Sequence, residues 1–461
     1  MEARNKWRCF PVKKSVALLL AVALLFVFVA GCGNGGAVEP KLTTEPAQEQ
    51  SVHDIAPQPQ AFDRVTAISI GISPAIRDSH VVVVRDDGTA WAWGRNGFRQ
   101  LGYTPTTTDS RIPVQSQEFD DIIAVAAGGL HTVALRDDGS VWAWGSNFHG
   151  QLGDGTNESS VLRRDPVQVE GLSDIIAVAA GESHSVALRS DGTVWAWGSN
   201  REGQLGDGST TEQHSPVQVR GLSNITSIAA GANHTVALRN DGIIWAWGRN
   251  LDHQLGDTTT ILERTTPVQV QGIDDVIYIT ASDTHTLALR GDGSVWWSTR
   301  EGFVQQQNRN DITAIAQGRA HTVTLREDGT VWSWGRNNYG QLGDGTTRDG
   351  DVSVQALDDV VAIAAAGDST IALRSDGTVW AWGSNERGQL GDGTTVMFRS
   401  NPVQVGVQGA REVPTTAQQR QCEFCEKEGV RSFRGASGTT EWFCMQHYEE
   451  ILALFGAALG Y

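Results

Sequence analysis

The chain has 461 residues, 53 acidic against 36 basic side chains, and a formal net charge of −17 at pH 7. That length allows a large core plus a small module. The acidic excess argues against non-specific binding to phosphate backbones, which needs clustered Lys and Arg, so no nucleic-acid partner is expected.

Residues 1–31 read as an export signal. Arg4, Lys6, Arg8, Lys13 and Lys14 precede an apolar run, Val16 to Ala30, that is short for a spanning helix. The run ends Val29-Ala30-Gly31-Cys32, and small residues directly before a cysteine resemble the lipobox of bacterial lipoproteins. That resemblance implies a diacylglyceryl group on Cys32 and a mature protein anchored to the cell membrane on its extracytoplasmic face. Two acyl chains suffice for stable anchoring. Loss of residues 1–31 removes a net charge of +4 and leaves −21. Residues 32–61 are rich in Gly, Pro, Gln and Glu and are expected to form a disordered tether reaching roughly 30 Å.

Residues 62–409 carry a repeat. Trp91-Ala-Trp-Gly94 recurs as Trp142–Gly145, Trp195–Gly198, Trp245–Gly248, a degraded Trp296-Trp-Ser-Thr299, Trp332–Gly335 and Trp380–Gly383. Successive first tryptophans are 51, 53, 50, 51, 36 and 48 residues apart. A period near 50 with strand-like content indicates a propeller or a solenoid. In residues 174–219, four short strands are expected: an Ala-rich inner strand, His184–Arg189, Thr193–Gly198 and Pro216–Val219. The Asp191-Gly192 pair between alternating runs is a strong hairpin signal. It recurs at Asp87, Asp138, Asp241, Asp292, Asp328 and Asp376. The fold class is therefore all-β, a seven-bladed β-propeller, with both tryptophans of each pair expected between blades.

The pattern Ala-Ala-Gly-x-x-His-(Ser/Thr)-Val-Ala-Leu-Arg-x-Asp-Gly-x-Val-Trp-Ala-Trp-Gly-x-Asn-x-x-Gly-Gln-Leu-Gly-Asp-Gly-Thr resembles the regulator of chromosome condensation repeat. The resemblance implies a seven-bladed propeller over residues 62–409. The founding nuclear member of that family is a guanine-nucleotide exchange factor, and a secreted bacterial relative caps and inhibits a β-lactamase. Neither activity follows from the fold alone.

Residues that recur once per blade read as architecture. His80, His131, His184, His234, His285 and His321 share one repeat position, with Ser369 as the seventh, and are expected to bond a neighbouring turn. Asp154, Asp207, Asp257, Asp344 and Asp392 are expected to be turn residues, because one carboxylate per loop does not build a calcium site. Deviations read as candidates for function. The fifth repeat is about fifteen residues short. It should leave a notch lined by Gln305, Gln306, Gln307, Asn308 and Arg309, as a docking feature or as decay of one repeat. Loops before the last strand pair apolar residues with arginine: Leu162 with Arg163, Leu262 with Arg264, Phe398 with Arg399. Interface centres use such residues, so these six are the candidate partner contacts.

Residues 410–420 read as a linker and 421–461 as a second module. Cys422, Cys425, Cys444 and His447 follow C-x₂-C-x₁₈-C-x₂-H spacing, close to that of a structural zinc site. About forty residues bury too little apolar surface to fold without such a staple. A hairpin across Val430–Phe443 and a short helix after His447 would give a zinc-ribbon or treble-clef module. No phosphate loop, nucleophile elbow or convincing carboxylate pair occurs. The expected function is a membrane-anchored scaffold that binds a protein partner, not an enzyme. The alternatives are a secreted-enzyme inhibitor, a glycan or cell-wall binder and, less favoured, a nucleotide exchange factor.

Overall fold

The computed structural model describes residues 62–73, 78–102, 108–116, 120–156, 162–306, 311–406, 430–434 and 440–444. The chain divides into two compact units, Met1–Gln408 and Gly409–Tyr461. The first holds seven four-stranded antiparallel sheets, each built from four strands consecutive in sequence. Blade 1 comprises Val65–Ser73, Asp78–Arg85, Ala90–Gly94 and Ser110–Gln115. Blade 7 comprises Val360–Ala366, Ser369–Arg374, Val379–Ser384 and Phe398–Gln404.

Each Asp-Gly corner joins the second and third strands. In blade 1 the Gly88 amide donates to the Arg85 carbonyl at 3.0 Å, and Gly88 has a φ of 76°, which a side chain would resist. Asp87 accepts from both the amide and the hydroxyl of Thr89, and the Thr89 hydroxyl accepts from the Trp91 indole at 3.0 Å. The corner also seats the next blade, since Ile122 N donates to Gly88 O at 3.0 Å.

Two irregularities recur. The inner strand bulges at its second residue; in blade 3, Arg189 pairs with Ile175 and Leu188 with Ala177, so Ile176 is left over and exposed. The outer strand starts three residues earlier than the sequence suggests. Gln213–Gln218 contains Pro216 in its interior, and the ladder shifts register between Ala196 and Gly198, where a missing amide is tolerated.

The two tryptophans of a pair do different work. Trp93, Trp144, Trp197, Trp247 and Trp382 are fully buried between blades. The first tryptophans are half-buried instead, and arginines cover several of them, as Arg326 covers Trp332 at 4.2 Å. The ring closes by packing, without a strand shared between its ends. Val65 N donates to Gly377 O, Trp93 Nε1 donates to Gln389 O at 3.0 Å, and Val65, Val81 and Trp93 share a core with Ile371 and Leu373.

In the second unit, Val430–Arg434 pairs antiparallel with Thr440–Cys444, opposing Val430 to Cys444. Cys422, Cys425 and His447, the expected helix and Cys32 lie outside the described residues.

Candidate binding surface

Five of the six recurring histidines tie a blade to the next; His285 does not, and Ser369 bonds its own blade at Ser384 O. Thr132 Oγ1 donates to the Gln100 carbonyl at 2.8 Å, so its lone pairs face His80, whose Nε2 donates to it at 3.0 Å. The Trp144 indole donates to the same carbonyl at 2.9 Å. His131 uses Ser185 and Gln151, His184 uses Thr235 and Gln204, His234 uses Thr286 and Gln254, and His321 uses Thr370 and Gln341. The acceptor is thus a strand hydroxyl of the next blade, not a turn. Burial pushes His80, His131 and His234 down to about 3, and His184 and His321 to about 4. They are neutral structural groups.

The Leu-Gly-Asp carboxylates close their own loops. Asp154 accepts from Asn147, from the amide of Thr156 and from its hydroxyl; Asp207 and Asp344 are used in the same way.

Arg163, Arg264 and Arg399 share one register position, opposite the glycine of Trp-Ala-Trp-Gly. Arg264 donates to Asp257 at 2.8 and 2.9 Å, and Arg399 donates to Asp392 at 2.9 Å. Burial pushes the Asp257 carboxyl up, but hydrogen bonds from Arg264 and Thr259 outweigh it and leave the group below the ordinary range. Arg399 is only 8% exposed. These two arginines staple the loop to the outer strand; the exposed surface beside them is apolar. Leu262 is 59% and Met397 61% exposed, and Ile261, Val396 and Phe398 are exposed with them. Leu162 and Arg163 open the outer strand of blade 2, Leu162–Gln168.

All these loops join a third strand to a fourth, so up-and-down topology puts them on one face of the ring. Phe148 and Leu251, also exposed, lie in the same connections of blades 2 and 4. Several of the other exposed aliphatics, Ile176, Ile277 and Val361, are bulge residues of inner strands.

Blade 5 lacks the connection altogether. Val295–Thr299 turns directly into Gly302–Gln305, with Thr299 opposite Gly302. Phe303 fills the space that a buried tryptophan takes elsewhere: a Cβ on Gly256 would meet its ring at 2.7 Å, just as one on Gly206 would meet Trp247 at 2.8 Å. A cavity of about 740 Å³ remains between blades 5 and 6. Gln305 and Gln306 line it as the sequence suggests; Gln307, Asn308 and Arg309 lie outside the described residues. Sequence reasoning missed its other walls, among them Trp297, Thr322, Trp334 and Gln317. Gln317 had a signal: it pairs with Thr322 where Ala127, Ala180, Ala230, Ala281 and Ala365 pair with the equivalent hydroxyl residue.

The ring axis is narrow. Its cavity is about 70 Å³, walled mainly by Ala and Gly, with Glu182 and Asp283 among the lining residues. Burial pushes Asp283 up to about 6, with Glu182 adding to it and Arg319 opposing. This volume holds water, not a substrate of ordinary size.

A sequence model of the RCC1-like domain matches residues 26–298, and one of the regulator of chromosome condensation (RCC1) repeat matches residues 328–373 and 376–420. The chain is similar to E3 ubiquitin-protein ligase HERC2 of Mus musculus, 35% identical over 145 residues, which are 31% of this chain and 3% of that protein. It is similar also to RCC1 domain-containing protein RUG3, mitochondrial, of Arabidopsis thaliana, 38% identical over 125 residues, 26% of this chain and 27% of that one. The chain therefore spans under a third of these relatives' length. Among solved structures, Prp20p of Saccharomyces cerevisiae superposes with a TM-score of 0.63 at 24% identity, over 72% of this chain and 88% of that one. Human WBSCR16 gives 0.61 at 20% identity, over 68% and 86%. At these identities the likeness is one of fold.

Proposed function

The chain belongs to the RCC1-like domain family, and on that premise we propose that its propeller is a protein-binding scaffold, tethered through Cys32 to the extracytoplasmic face of the cell membrane. The supporting observation is the gathering of exposed apolar side chains, Leu262, Met397 and Phe398 foremost, on loops of one face. Each sits beside an arginine already spent on its own loop, so the tips are held rigid and apolar, as interface anchors are. A protein of the same fold, Prp20p, is described as binding Gsp1p and histones. That supports recognition of proteins as work this fold can do; the partner here is set by this chain's own loops.

In the same reading Cys422, Cys425, Cys444 and His447 hold one structural zinc, which their spacing and the antiparallel hairpin ending at Cys444 support. Zinc-free purified protein would remove that part, and the absence of lipid label sensitive to Cys32→Ala would remove the anchor. The scaffold itself is tested by photo-reactive residues in intact cells. Positions 262 and 398 should give a discrete protein adduct, and position 191, in an Asp-Gly corner on the opposite face, should give none. Equal labelling from all three positions, or none from the loops, would sink it.

A further inference from the structure

Four of the seven seams in this ring are closed by the same small device. A loop carbonyl, such as Gln204 O, accepts from the Thr235 hydroxyl at 2.8 Å and from the Trp247 indole at 2.8 Å, while the next loop residue, Leu205, is fully buried. The Gln100, Gln151 and Gln341 carbonyls do the same for Thr132 and Trp144, Ser185 and Trp197, and Thr370 and Trp382.

At the seam between blades 5 and 6 the receiving half is intact and the giving half is missing. Thr322 and Trp334 occupy the donor positions, both on the wall of the 740 Å³ cavity, but the two-residue turn Arg300-Glu301 replaces the loop. The Trp334 indole is held by the Gln306 side chain at 3.1 Å. His285, whose counterparts reach the next blade, stacks instead on Trp297 at 5.4 Å and bonds Thr284.

We infer that this cleft is a docking slot for a tight turn of a protein partner, of the Gln-Leu-Gly kind that the other blades supply from within. Its backbone carbonyl accepts from the Thr322 hydroxyl and replaces the Gln306 side chain on the Trp334 indole, and its leucine-like side chain fills the slot beside Trp334. The sister seams are the argument for a peptide over a saccharide, since they show the same donor pair satisfied by a peptide carbonyl and the same slot filled by leucine. The inference rests on the protein-binding reading and locates one contact of it.

The probe is a head-to-tail cyclic peptide of residues 383–394, Gly-Ser-Asn-Glu-Arg-Gly-Gln-Leu-Gly-Asp-Gly-Thr, titrated into the full chain by calorimetry and tryptophan fluorescence. Saturable binding is expected, absent for a scrambled cycle and weakened roughly tenfold by Thr322→Val. Replacing Arg300-Glu301 with the blade 4 loop, residues 250–262, should abolish binding while raising the melting temperature, which shows that the graft folds. No saturable binding to the parent chain, or equal binding to the graft, overturns the inference. So does binding of chitotetraose, but not the peptide, to the parent and not to the graft. Peptide failure with loop cross-linking preserved removes the slot and keeps the scaffold; peptide binding with no cross-link does the reverse.

Discussion

Arg399 shows how a single side chain changes meaning once its partner is known. Next to Phe398 in sequence it looks like an interface arginine; in the fold its guanidinium meets Asp392, both nearly buried, at 2.9 Å. Removing one member of such a pair strands the other charge. Arg399→Leu should therefore cost about 3 kcal/mol of stability, read from urea midpoints, and Arg399→Leu with Asp392→Asn should recover part of it. A single variant of wild-type stability with lost partner capture would restore the contact reading. The clue was present as spacing: Asp257 and Asp392 each lie seven residues before the arginine they bind. It was hidden because those aspartates also satisfy turn chemistry, accepting from Thr259 and Thr394, and one sequence position does not display two bonds at once.

At the scale of the blade, periodicity carried far. Strand alternation and the Asp-Gly corners located the four-strand units, because a two-residue corner fixes the register of the hairpin around it. Outer-strand starts were placed late, since a mid-strand proline at a bulge reads like a boundary. The shortened blade 5 was legible as a missing loop, yet its compensation was not: Phe303 comes from a different strand than the tryptophan it stands in for. Phe303 is 6% exposed within a core that includes Leu255, Val270 and Ile279. Phe303→Ala should cost about 3–5 kcal/mol, while Phe303→Trp, offered a space already shaped for an indole elsewhere, should cost much less. Equal losses for the two would mean that the blade 4 to blade 5 seam is not an indole-shaped site. This comparison needs only melting curves of the full chain.

Across the whole ring the buried histidines act together. Their folded values, about 3 to 4, lie below the ordinary 6.5. Between those limits the unfolded chain takes up protons that the native ring refuses. The stability they allow is therefore complete above pH 6.5 and is lost as pH falls toward 4. Each such group costs about 1.4 kcal/mol per pH unit in that window, so five together approach roughly 7 kcal/mol per unit. Asp283, which burial pushes up to about 6, acts in the opposite sense but alone. By pH 5, about one and a half units below 6.5, the loss reaches roughly 10 kcal/mol, the middle of an ordinary margin of about 5–15 kcal/mol, so the urea midpoint should fall steeply between pH 6 and 5. His184→Gln with His234→Gln should flatten the dependence by about two-fifths; a midpoint constant from pH 7 to 5 would show that these rings do not titrate on unfolding. Ring closure, which no local pattern announces, decides how this loss is expressed. Five seams carry the histidine relay; the blade 5 to blade 6 seam and the blade 7 to blade 1 seam do not, but the latter keeps the Trp93 indole on the Gln389 carbonyl, so at neutral pH the blade 5 to blade 6 seam is the least tied. Hydrogen exchange should find the amides of Val295–Thr299 and Ile312–Gln317 protected less than those of Val194–Gly198 and Ile225–Ala230 at pH 7. The difference should shrink on acidification, as the other seams lose what this one never had.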